Sequence, residues 1–206
     1  EVPEAFRAHL SESVRSQLVA DVPLGVFLSG GLDSSAIASC MRDHISPSSI
    51  RTFAVGFNEA SFDESPHAKA VADHISTTHR EEILAAHRVM NLLPQIADFL
   101  DEPLGDASVV PTYLLSRFTR EHVKVALGGD GGDELLAGYP TFLADRAANI
   151  YRRGVPAVVR RVVAEAVNRM PVSTRNFSLD FIARSFVEGV EYPREVRHQI
   201  WLSSFP

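Results

Sequence analysis

Residues 26–39 read Val-Phe-Leu-Ser-Gly-Gly-Leu-Asp-Ser-Ser-Ala-Ile-Ala-Ser, VFLSGGLDSSAIAS. A short apolar run passes through two glycines into a series of small residues, which is the order of a buried strand, a tight loop and a helix. At such a junction Gly30 and Gly31 let the backbone approach an anion with no side chain in the way, and the free amides that open the next helix favour negative charge. Ser29, Ser34 and Ser35 add hydroxyl donors. Asp33 runs against that pattern, since a carboxylate beside a phosphate repels it unless a divalent cation bridges the two. Magnesium is the cation this arrangement points to.

Outward from this stretch, strands and helices alternate. Phe6, Leu10, Val14 and Leu18 recur at every fourth position, which predicts a helix over 4–20 that Pro23 closes off. A strand over 25–28, a helix over 34–44 and a strand over 51–57 follow. A further helix opens at Ser61, with Asp63 and Glu64 in its first turn and Ala68, Val71, Ala72 and Ile75 on one face. Thr78 to Leu84 reads as a third strand and 86–99 as a helix in which Pro94 predicts a kink. After the loop 101–108, Pro111 suits the first turn of a helix reaching His122, and a fourth strand over 123–127 ends in a second glycine loop, GGDGGDE (128–134). This alternation predicts right-handed crossovers and an α/β fold, an open parallel sheet with helices on both faces. From Thr141 no strand pattern remains. Two or three helices, broken at Gly154-Val-Pro156, Pro171 and Pro193, predict a helical C-terminal appendage, so the chain divides into a core over 1–142 and a helical extension over 143–206.

Composition bounds the function. With 206 residues, 45% of them hydrophobic, one sizeable core is expected. A net charge of −6 argues against nucleic-acid binding by phosphate neutralisation. The charge is uneven: residues 1–144 carry 10 basic and 20 acidic groups, and residues 145–206 carry 10 arginines and 6 acidic groups. The arginines are spread among glutamates, which predicts a solvated helical face. Cys40 is the single cysteine, so there is no disulfide framework and no cysteine-based zinc site, and a small buried residue in a reducing, cytoplasmic setting is expected. No apolar run approaches the roughly 18 residues of a membrane span, and the first residues lack the layout of a signal peptide. The start at Glu1 and the end at Pro206 predict a piece of a longer polypeptide. His67, His74 and His79 have spacings unsuited to placing two imidazoles on one metal from one helix turn.

The first loop lacks the lysine of GxxxxGK[ST], the order of GxGxxG and the GxSxG of a hydrolase nucleophile. Ser29-Gly-Gly-Leu-Asp-Ser-Ser35 instead resembles the SGGxDS pyrophosphate loop of the N-type ATP pyrophosphatases. The second loop alone would also allow a calcium or magnesium loop. Taken with Asp101-Glu-Pro103 and Pro111-Thr-Tyr-Leu-Leu-Ser-Arg117, the set resembles the C-terminal synthetase domain of the glutamine-hydrolysing asparagine synthetases, strongly over Pro3 to Phe142 and loosely in the tail. That family reads SGEGADE and then Gly-Gly-Tyr. Here GGDGGDELLAGY places Gly128 at the serine and Asp130 at the glutamate, with the charge kept.

The resemblance implies a mechanism. Ser29, Gly30, Gly31, Ser34 and Ser35 would cradle the phosphates of ATP, while Asp33 and Asp133 would share Mg2+ bound to pyrophosphate. Leu28, Val55, Gly128 and Gly129 would contact adenosine, and the loop Asp106-Ala-Ser-Val-Val110 would take the amino-acid substrate. The side-chain carboxylate of aspartate would attack the α-phosphate to give β-aspartyl-AMP, and ammonia would displace AMP; Asp130 would act around this intermediate as an acid/base or electrostatic group. The family's glutaminase domain, with its amino-terminal cysteine, has no counterpart here, so ammonia would come from a domain absent from this chain. A homodimer is compatible with the resemblance. The family also brings a lysine to the phosphates from beyond the aligned region, and neither Lys69 nor Lys124 belongs to a matched motif, so a nucleotide site with poor turnover is expected. Two other readings stay open: an adenylating relative such as a β-lactam synthetase or peptide cyclase, with another carboxylate and amine, and a nucleotide-binding module without turnover.

Overall fold

The computed structural model describes residues 2–102, 104–106, 108–173 and 178–202. The chain divides into two compact units, Glu1–Asp130 and Gly131–Pro206, with the division inside the second glycine loop.

The first unit runs α1 (Val2–Gln17), β1 (Leu24–Phe27), α2 (Leu32–Arg42), β2 (Arg51–Phe57), α3 (Ser65–Ile75), β3 (Thr78–Leu84), α4 (Ala86–Phe99), α5 (Val109–Arg120) and β4 (Val125–Leu127). The four strands are parallel in the order β3-β2-β1-β4. Alternation along each strand sends residues to opposite faces. Val26, Leu28 and Ala54 point to one face and pack with Val14 of α1, Ala38 and Met41 of α2, and Ala68 and Ala72 of α3. Val55 and Phe57 point to the other and pack with Leu84, with Leu92 and Ile96 of α4, and with Leu114 of α5. On that second face the Phe53 ring stacks on His122 and meets Phe118 edge-on. The open parallel sheet covered on both faces is therefore the one the alternation predicts. Cys40 is buried in the first core, and burial pushes its thiol up.

The boundaries differ where side chains compete with helix. The helix expected from Ser61 begins at Ser65, because Asp63 Oδ1 accepts from the N–H groups of Ser65 (3.1 Å) and Phe57 (3.3 Å) and so closes a loop instead of joining the first turn. Burial pushes the Asp63 carboxyl up, and the Ser65 and Phe57 hydrogen bonds together hold it below its ordinary value. The first helix ends at Gln17, before Pro23, and α4 runs on through Pro94. The fourth strand starts at Val125 rather than Val123, and the Lys124 N–H donates to Pro23 O at 3.3 Å.

Thr52, fully buried in β2, joins β3 through a short polar chain. Its Oγ1 lies 3.0 Å from Thr77 Oγ1 and 2.8 Å from His79 Nδ1. Burial lowers the His79 pKa, against the pull of Glu81, whose Oε2 lies 3.7 Å from Nε2. A depressed histidine binds its proton more readily in the unfolded chain, so it costs no stability above the unfolded value of about 6.5 and destabilises progressively as pH falls below it. Denaturant midpoints should therefore fall less steeply below that pH in His79→Gln than in the parent. Parallel curves would overturn this assignment.

The second unit holds α6 (Gly132–Leu136), α7 (Pro140–Gly154), α8 (Ala157–Asn168), α9 (Leu179–Gly189) and α10 (Arg194–Leu202). Past Thr141 the described residues form four helices where the sequence predicts two or three; the breaks fall near the expected prolines. The arginines do not form a merely solvated face. Arg197 is 1% exposed and bound to Asp145 at 2.7 Å, and Arg160 Nε is 2.7 Å from Glu191. Among the described residues no helix is long and apolar enough to cross a membrane.

Candidate functional site

The carboxyl ends of β1, β2 and β4 open onto one cleft of about 400 Å³ in the first unit. Such ends are where loops converge in an open parallel sheet. Leu28 leaves β1 with its N–H donated to Phe53 O at 2.8 Å, which fixes the point where the first glycine loop begins. Gly30 then takes φ 80°, and Gly31, at φ −69°, caps α2 without any side-chain hydrogen bond to the first turn. The opening amides of α2 thus keep donors for an incoming group.

The serine hydroxyls hold this loop in shape. Ser29 Oγ lies 3.0 Å from Ser34 Oγ and accepts from the Gly31 N–H at 3.2 Å; Ser34 Oγ also accepts from the Ser29 N–H at 3.2 Å. Gly129, from the second loop, comes close over the first turn of α2: a Cβ there would sit 2.9 Å from Ser34 N and 3.1 Å from Asp33 Cβ. Only a glycine allows the two loops this approach.

Of the residues singled out from the sequence, Leu28, Ser29, Gly31, Asp33, Ser34, Val55, Gly128, Gly129 and Asp130 line this one cleft. Gly30 and Ser35 do not. Gly30 packs its backbone against the start of α3, and Ser35 Oγ is buried with no hydrogen-bond partner among the described residues. Asp133 belongs to the second unit, in the first turn of α6; the Gly138 N–H donates to its carbonyl at 3.0 Å, and a side chain at Gly138 would run into its carboxylate. In the substrate loop, Ala107 lies outside the described residues. Asp106 turns its carboxylate back on the chain, accepting from the Ser108 N–H (2.8 Å) and hydroxyl (2.7 Å), and these two bonds hold it below its ordinary value.

Phe57, Phe62, Glu64, Pro111, Thr112 and Leu115 also line the cleft, though none was singled out from the sequence as a site residue. Phe62 and Glu64 reach it because Asp63 ties their loop to β2. The sequence gives that loop the look of a helix start, and only the Asp-x-Ser spacing hints at the turn. Pro111 and Thr112 come from the opening turns of α5, and their motif shows where that helix starts but not what it faces.

The cleft's charge is one-sided. Among the described residues Asp33, Glu64 and Asp130 line it, and no lysine, arginine or histidine does. These carboxylates repel a polyanion unless a cation offsets them, while the α2 amides and the Ser34 hydroxyl supply neutral donors. The residues present therefore fit a nucleotide accompanied by a divalent metal.

A family model described as asparagine synthase matches residues 5–203. Among curated proteins, the chain is 39% identical over 153 residues to a putative asparagine synthetase [glutamine-hydrolyzing] of Methanocaldococcus jannaschii, covering 74% of this chain and 29% of that protein. It is 34% identical over 173 residues to asparagine synthetase [glutamine-hydrolyzing] 1 of Bacillus subtilis, covering 84% of this chain and 27% of that protein. The chain thus spans under a third of the length of these relatives. Among solved structures, a glutamine-dependent NAD+ synthetase from Acinetobacter baumannii in complex with ADP aligns with a TM-score of 0.48 at 15% identity, over 94% of this chain and 42% of that one. On the match of the family model to nearly the whole sequence, the chain belongs to the asparagine synthase family.

Proposed function

We propose that this chain is the ATP-using ligase part of an asparagine-forming enzyme, adenylating the side-chain carboxylate of aspartate for attack by ammonia. The observation that carries the reading is the convergence of two glycine loops on one acidic cleft, with Gly129 against the first turn of α2 and Asp33 and Asp130 on the walls. The relatives named asparagine synthetase support the choice of substrates.

In this reading the opening amides of α2 and the Ser34 hydroxyl hold phosphate oxygens. Asp33, with Asp133 from the second loop, holds magnesium, which when bound offsets phosphate charge. An aspartate oxygen attacks the α-phosphorus as the bond to the bridging oxygen breaks, and pyrophosphate leaves. Ammonia then adds at the acyl carbon, loses a proton and AMP departs, with Asp130 acting around the intermediate as an acid/base or electrostatic group. This chain's share is positioning and charge placement, the usual means of accelerating phosphoryl-centre chemistry. Aspartate-dependent release of pyrophosphate from ATP, by the protein that carries this sequence, is the test; release indifferent to aspartate would remove the asparagine reading.

Asp33→Asn and Asp133→Asn should each weaken binding of magnesium-ATP by roughly tenfold, the scale of one charge-assisted contact. Calorimetric titration at fixed magnesium reads this directly. Unchanged affinity in both variants would remove the shared-metal model.

A further inference from the structure

On the outer side of β4 lies a second cleft, of about 460 Å³, between that strand and the last turns of α5. Its polar lining comes from Ser116, Thr119, Arg120 and Lys124, with Phe27 and Val125 among the apolar walls, and among the described residues no carboxylate lines it. Among the described residues neither Arg120 nor Lys124 has an acidic partner, although the chain as a whole is acidic. Thr119 is 4% exposed, and its Oγ1 makes no hydrogen bond among the described residues. A helical threonine ordinarily bonds back to the preceding turn, and a buried hydroxyl without a partner is unfavourable, so this group calls for a ligand. β4 pairs with β1 alone among the described residues, which makes it an edge of the sheet there.

A cation at a helix C-terminus complements the carbonyls there. That accounts for Arg117 and goes some way for Arg120. It accounts neither for Lys124, which lies beyond the helix at the start of β4, nor for the Thr119 hydroxyl. Two unpaired cations and two hydroxyls around a small recess match an oxyanion of two negative charges.

We infer that the cleft between the C-terminal turns of α5 and β4 binds a phosphate dianion, held by Arg120 and Lys124 with hydroxyl donors from Ser116 and Thr119. The site adjoins the cleft at the carboxyl ends of the strands through Phe27 and shares no polar lining residue with it, and its test does not depend on turnover there. The same chemistry would accept free phosphate or the phosphate of a nucleotide monoester.

The test titrates inorganic phosphate, and in a parallel arm AMP, into the isotope-labelled chain and follows the amide resonances of 116–125 and of 29–35. Phosphate is expected to shift the first group saturably. Arg120→Gln with Lys124→Gln, both exposed positions, should weaken that binding at least about tenfold while spectra elsewhere stay native. Thr119→Val should weaken it severalfold while leaving stability equal or higher, whereas a threonine with only a packing role would leave affinity unchanged. AMP shifting 116–125 at lower concentration than phosphate assigns the site to a phosphoester, and the reverse assigns it to free phosphate. No saturable shift at 116–125, shifts confined to 29–35, or full affinity in the double variant would overturn the inference.

Discussion

Gly30→Ala is expected to abolish measurable magnesium-ATP binding and to destabilise the first unit by about 3 kcal/mol. Two independent costs meet at this position. The φ of 80° lies in the left-handed region, where any side chain adds about 1–2 kcal/mol of strain. The new Cβ would also fall 2.5 Å from the His67 carbonyl carbon and 2.6 Å from Ala68 N, which are backbone atoms at the start of α3. Those atoms cannot swing aside as a side chain would. Ala68 is fully buried against the first core, so retreat of α3 would open the packing with Ala38 and Met41. The cheaper escape is for the loop itself to flip, which breaks the Gly31 to Ser29 bond and re-aims the opening amides of α2. Binding should therefore fall further than stability. Gly154→Ala is the control, since a Cβ there meets nothing within 4 Å and its φ is not positive; it should bind like the parent and melt at the same temperature or slightly above it. A Gly30→Ala protein with parental affinity would show that the loop geometry does not set the nucleotide site.

The parts of this molecule that follow a local rule are legible in the sequence. The strand-loop-helix around Gly30, the seven residues of β2 and the seven of β3 alternate with helices along the chain, and the parallel sheet follows from that alternation. Most of the cleft is legible for the same reason, because a glycine loop at a strand end leaves few places to go. Less legible is what one loop does to another. Asp63 looks like a helix-opening acid and instead fastens a loop, which is what brings Phe62 and Glu64 to the cleft. The approach of Gly129 to Ser34 joins segments far apart in the chain. The tail misleads in a different way: arginine is so often a surface residue that Arg197 carries no sign of burial in its neighbours Val196 and His198.

That buried arginine should decide the stability of the second unit. Asp145→Ala is expected to cost about 3–5 kcal/mol, Arg197→Met about 3 and Arg194→Ala under about 1. The order follows from what each change strands. Arg197 donates to Asp145 Oδ1 at 2.7 Å, to Asn149 Oδ1 at 3.2 Å and to Tyr192 O at 3.2 Å, and its guanidinium lies 5.9 Å from the Trp201 ring centre. Removing Asp145 leaves a cation that cannot shed its proton in a site 1% exposed, with one nitrogen, Nε, already lacking a partner. Removing Arg197 is milder, because Asp145 is 16% exposed and keeps Arg194 at 3.0 Å. Arg194 itself is 70% exposed, so solvent screens its pair. The consequence reaches the second glycine loop from inside this unit. α10 also carries His198, which bonds Thr141 Oγ1 at 2.8 Å and stacks on Phe142 with ring centres 4.5 Å apart, in the first turn of α7 just after Gly138 and Tyr139. Loosening α10 should therefore free the segment against which Asp133 rests. Trp201, the single tryptophan, sits on α10 with its Nε1 donated to Ser185 O at 2.7 Å, so its fluorescence follows this unit alone during urea unfolding. Equal midpoints for Asp145→Ala and Arg194→Ala would mean that the guanidinium of Arg197 is solvated, and the burial argument would fall.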